Sequence, residues 1–96
     1  MAAGSAVTAE NATAGSGTWT IQPGAGAEWI IHTLAWTGPC NVTITDGANP
    51  VIFFQAATSN SMLSNLQLHL TNAQYLIMTD TSGATNNMSY SGIQTV

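Results

Sequence analysis

Lysine and arginine are absent from this 96-residue chain, and Glu10, Glu28, Asp46 and Asp80 are its only acids, for a net charge of −4. Nucleic-acid binding draws most of its strength from Lys and Arg on phosphates, so that function is excluded, and an anionic membrane surface would repel the chain as well. Cysteine is almost as scarce: Cys40 stands alone. That removes disulfides, and no ligand cluster near it suggests a structural metal in their place. No apolar run reaches the ~18 residues of a membrane span, and the N-terminus lacks the basic region and apolar stretch of a secretion signal. The expectation is a chain made and kept in a cytoplasm until it assembles. A domain of this size buries only roughly 60 to 65 % of its unfolded surface and is marginal alone, so oligomerisation is the staple that remains.

Solubility falls to Thr, Ser, Asn and Gln. Burying a hydroxyl or an amide against a partner costs far less than burying an ion, so such a surface suits packing against neighbours. Three sequons, at Asn11, Asn41 and Asn87, arise readily by chance in this composition.

Residues 1–17, MAAGSAVTAENATAGSG, hold Ala, Gly, Ser and Thr with one β-branched aliphatic, Val7. Too little apolar surface is present for them to fold alone, so they are expected to form an N-terminal arm held by a neighbouring subunit. From Thr18 on, short stretches of β-branched and aromatic residues alternate with turn chemistry, and residues 18–96 are expected to form one all-β antiparallel β-sandwich, jelly-roll-like, of seven or eight short strands. Strands are expected at Thr18–Gln22, Ala27–Trp36, Asn41–Thr45, Val51–Gln55, Met62–Leu70, Tyr75–Thr79 and Asn87–Ser91, with Ile93–Val96 as a short edge. Strict alternation in the second of these puts Trp29, Ile31 and Ala35 on one face and Ile30, Leu34 and Trp36 on the other. The turn Asp46-Gly47-Ala48-Asn49-Pro50 should close a hairpin. Phe53 and Phe54 are neighbours and must point to opposite faces, one of them into an interface.

Chemistry has little to work with. His32, His69 and Cys40 do not reach the three or four ligands a zinc site needs. A nucleophile, base and acid can be assembled on paper from Ser or Cys40, a histidine, and Asp46 or Asp80, but no G-x-S-x-G elbow frames any serine. Four acids, one of them in the arm, offer no clear pair for glycoside chemistry. Trp19, Trp29, Trp36, Tyr75 and Tyr90 could stack on sugars, yet Trp19 and Trp29 fall in apolar alternation and read first as packing. Cys40 reads as a small packed thiol. No catalytic residue, metal or cofactor is expected.

Thr18 to His32, TWTIQPGAGAEWIIH, with Asp46-Gly47 and the segment DTSGATNNMSYSGI from Asp80 to Ile93, resembles a group of small tailed-bacteriophage virion proteins. These open with a strand, a Gln-Pro turn and a Glu-Trp-hydrophobic strand, and close on Ser-Tyr-x-Gly, here Ser89-Tyr90-Ser91-Gly92. The resemblance implies a non-enzymatic capsid decoration, or cement, protein, and no catalytic residue carries over. Its expected partner is the major capsid protein, its state a homo-oligomer, a trimer, and its place the capsid surface of a virion assembled in the host cytoplasm. The alternative is a carbohydrate-binding or host-attachment module of a tail or fibre. The interface candidates are Ala2 and Val7 in the arm and Trp36, Phe53 and Phe54 in the domain.

Overall fold

The computed structural model describes residues 4–57 and 60–96, and these form two antiparallel sheets with no helix. Nine strands follow in order: β1 (Ala6–Thr13), β2 (Thr18–Ile21), β3 (Glu28–Trp36), β4 (Cys40–Thr45), β5 (Val51–Ala56), β6 (Ser61–Leu63), β7 (Leu68–Thr71), β8 (Tyr75–Asp80) and β9 (Asn86–Gln94). One sheet runs β1-β9-β3, after which β6 and β7 pair with successive parts of β3, and the other runs β2-β8-β4-β5. The inner faces meet in a single core. Val7, Ile31, Leu34, Leu70 and Met88 come from the first sheet, and Ile21, Val42, Leu76 and Met78 from the second. Each large aliphatic side chain fully removed from water there is worth roughly 1.5 to 3 kcal/mol. The all-β antiparallel sandwich expected from the sequence is therefore the fold.

The first correction falls at the N-terminus. Ala6–Thr13 is no free arm: it pairs with β9 over eight residues, from Ala6 opposite Ile93 to Thr13 opposite Asn86. Its composition is too poor to fold alone, but as a strand against β9 it needs only one apolar residue facing inward at the right register. Val7 supplies it and is buried in this chain's own core, so its assignment to an interface between subunits is corrected as well. Ala2 lies outside the described residues.

Strand β3 departs from strict alternation. Its register against β9 shifts between Ile31 and Thr33, so His32 is an extra residue, and a bulge of this kind resets the inward phase. Trp29 and Ile31 before it and Leu34 and Trp36 after it all face the core, while Ala35 turns outward. Trp36, expected at an interface, is buried.

The stretch expected as one strand from Met62 to Leu70 is two, β6 and β7, on different lengths of β3. Conversely, Asn87–Ser91 and the first two residues of the expected edge Ile93–Val96 belong to one central strand, β9, lying between β1 and β3, while Thr95 and Val96 fall outside it. Gly92, which read as a break, is what lets it through. A Cβ there would stand 2.1 Å from the Ile30 carbonyl oxygen, so only glycine permits the two backbones to pass so closely.

The β4–β5 hairpin forms where the sequence puts it. Asp46 accepts hydrogen bonds from the Ala48 and Asn49 amides at 2.9 and 2.7 Å, and Gly47 takes the left-handed conformation that the turn requires. Its ladder slips by one residue between Val42 and Thr43: Val42 opposes Phe54 and Thr43 opposes Ile52, leaving Phe53 unmatched.

Candidate functional site

The side chains capable of chemistry are dispersed. His32 is exposed, and His69 is exposed with its Nε2 2.8 Å from Glu28 Oε1. Cys40 is fully buried, and burial, with the nearby Asp80 carboxylate second, pushes its thiol up to about 11; a thiol held neutral is neither nucleophile nor ligand at ordinary pH. Among the described residues no three of His, Cys, Asp and Glu gather in a way that could hold a metal ion. The aromatic rings serve packing. Tyr90 lies between Trp19, at 5.4 Å, and Trp29, at 5.9 Å, and Trp36 meets Phe54 at 5.7 Å. Trp29 is further fixed by donating its indole N–H to Gln94 Oε1 at 3.1 Å.

One end of the sandwich is closed by a buried polar cluster. Asn86 Oδ1 accepts from the Gly38 and Thr37 amides at 3.0 and 3.2 Å, and its Nδ2 donates to the carbonyls of Gly38 and Pro39 at 2.7 and 3.1 Å. The side chain thus partners both the amide and the carbonyl of Gly38 and reinforces Thr37 and Pro39, whose amide and carbonyl also bond to the Asn87 carbonyl and the Thr81 amide. Beside it, Asp80 Oδ1 accepts from the Ser82 hydroxyl at 2.6 Å and the Ser82 amide at 2.8 Å. Desolvation pushes the Asp80 carboxyl up, but the bonds from Ser82 and Asn86 outweigh it, and its pKa ends below the ordinary carboxylate value. This arrangement positions the loops at that end of the sandwich.

What remains is surface. On the outer face of the second sheet, Thr18, Thr79, Asn41 and Gln55 form one cross-strand row, and Thr20, Ile77, Thr43 and Ile52 form the next. On the outer face of the first, a shallow open groove of about 430 Å³ runs over β1, β9 and β3, lined by Glu10, Ala12, Ala35, Asn87 and Ser89 among others. Both faces are broad, and short polar side chains and alanine predominate on them, with Ile52 and Ile77 among them on the second sheet and Glu10 on the first.

Strand β5 differs. It is one of the two edges of the second sheet, and Val51, Ile52 and Phe53 are 58 %, 50 % and 38 % exposed. The expected split of the phenylalanines holds here: Phe54 is half-buried against Trp36 and Phe53 points away. Sequence reasoning passed over Val51 and Ile52 because alternation assigns every second apolar residue to a core. The signal present was a run of four apolar residues, Val51-Ile52-Phe53-Phe54, directly after Pro50, and proline in a sheet marks an edge.

Of the expected interface residues, the structure therefore brings Val7 and Trp36 into the interior, leaves Phe54 half-buried and places Phe53 on the surface. Compared with protein-family models and with curated proteins, the chain matches no family and no relative. The class the fold defines is an all-β antiparallel sandwich.

Proposed function

We propose that this chain is a non-enzymatic structural subunit of a virion, a decoration protein that assembles as a trimer on the capsid surface and holds neighbouring major-capsid subunits together. The observation that carries the reading is the surface. Two broad sheet faces dominated by Thr, Ser, Asn, Gln and Ala, with Ile52 and Ile77 on one, Glu10 on the other and no Lys or Arg anywhere in the chain, are suited to close contact with protein, because few ions must be desolvated when they are covered. The strand order supports it. The first sheet, β1-β9-β3-β7, set against β2-β8-β4-β5 reads as the eight-stranded order of a jelly roll, its sixth strand divided into β6 and β7. The resemblance in Thr18–His32 and Asp80–Ile93 supplies the particular role.

The test is addition of purified chain to capsids lacking it, followed by sedimentation and reconstruction of the particle. Hundreds of copies spread over the head are expected. A few copies at one vertex would place the protein in a tail, and no occupancy at all would end the reading. Attachment should depend weakly on salt from about 0.05 to 0.5 M, a range in which surface charge attraction is strongly screened.

A further inference from the structure

We infer that β5 is the edge on which copies of this chain meet, an inference that rests on reading the chain as an assembling structural subunit. An exposed strand edge presents unpaired N–H and C=O groups to any other strand, and proteins ordinarily blunt it with charge, shortness or cover. Three edges of this sandwich are blunted. Strand β1 carries Glu10, β2 has four residues with Thr18 and Thr20 facing out, and the edge beside β3 is broken into β6, of three residues, and β7, which bears His69. The fourth, β5, is six residues long, bears no charge and exposes three large apolar side chains in succession. Left in water it is an association site. Only the bulge at Phe53 interrupts it.

Charge decides the occupant. Each copy carries four acids and no Lys or Arg, so no contact between copies can be made by ion pairs with those cations, and an acid-bearing surface repels its own image. From Gly47 to Thr79 the sequence contains no Asp or Glu at all, and β5 lies within that stretch. A foreign partner with basic groups would gain by using Glu10 or Glu28 on the first sheet, whereas a second copy is confined to the neutral region. Strand β5 itself bears no acid, and the nearest one, the exposed Asp46, stands in the turn at one end of it, so two copies paired antiparallel along β5 keep their Asp46 carboxylates at opposite ends, which points to self-association.

Sedimentation velocity of the full chain from about 1 to 200 µM tests this. The parent is expected to rise with concentration from 9.9 kDa toward a dimer or trimer. Ile52→Thr keeps the β-branched shape that a strand favours while removing exposed apolar surface, and is expected to raise the dissociation constant at least tenfold with unchanged β-type circular dichroism. Thr20→Ser, on the β2 edge, should associate like the parent. If Ile52→Thr loses its fold, Val51→Thr, at a more exposed position, takes its place under the same criterion. A parent that stays at 9.9 kDa throughout, or a folded β5 variant that associates as the parent does, overturns the inference. Capsid occupancy is read separately: a chain that self-associates through β5 but never decorates capsids would refute the proposed function and leave this contact standing.

Discussion

The two outer strands β1 and β5 invert what their compositions suggest. Strand β1, AVTAENAT, holds one large aliphatic residue and is built into the fold, with Val7 and Thr13 buried and eight residues laddered to β9. Strand β5, VIFFQA, is the more apolar by far, yet Val51, Ile52 and Phe53 stand in solvent. Total hydrophobicity therefore does not say which strand belongs to the core. Register does: one apolar side chain in phase with a closed inner face stabilises more than several out of phase at an edge.

The largest expected effect comes from breaking the β1 side of this comparison. Removal of residues 1–13 strips the ladder from β9 and uncovers the core beneath Val7, and against a total stability of roughly 5 to 15 kcal/mol for a small domain that loss should abolish cooperative unfolding. Thermal melts followed by near-ultraviolet circular dichroism check it; a truncated chain that melts like the parent would restore the free arm. Next in size is Asn86→Ala. It leaves buried groups of the β3–β4 turn without partners, at ~1 to 3 kcal/mol for each group left unsatisfied, and denaturant midpoints should fall accordingly. A sharper pair sets Val7→Ala, expected to cost about 1 to 3 kcal/mol through lost burial and a cavity, against Ile52→Thr in dilute, monomeric protein, expected to change stability by less than about 0.5 kcal/mol as exposed sites do. Equal effects would erase the distinction between the two strands.

The smallest effect is on pH. The Ala48 and Asn49 amides, joined by the Asn49 side chain, hold the Asp46 carboxyl at about 2, below its ordinary 3.8, and Asp80 is also lowered. A carboxyl whose folded pKa is depressed contributes stability that is present above its unfolded pKa and lost as pH falls through the folded one. Stability should thus be flat from about pH 5 to 8 and decline between pH 4 and 2. An Asp46 carbon chemical-shift titration with its midpoint near 4 would show that the turn does not hold its carboxylate.

Several features were legible in the sequence and others were not, for identifiable reasons. The sandwich class and the β4–β5 hairpin follow from alternation and from Asp46-Gly47, which act locally. The strand β9 was obscured by Gly92, because a glycine that ends a strand and one that admits a neighbouring backbone look alike in one dimension. The bulge at His32 sent the two ends of β3 out of phase, and with that Trp36 moved from a supposed outer face into the core. Strand β1 could not be found from its own residues, since what orders it is β9, about 80 positions later. At the candidate interface, the adjacency of Phe53 and Phe54 showed that one ring faces outward without saying which, whereas Val51 and Ile52 needed knowledge that β5 is an edge.

Amide hydrogen exchange over a concentration series addresses both halves of the central claim at once, that β1 belongs to the fold and β5 is the open edge. Slow exchange in β1 comparable to β9 is expected at every concentration, with new protection on concentrating the protein that appears first along β5. Rapid exchange throughout β1, or protection that grows on the β2 edge instead, would contradict it.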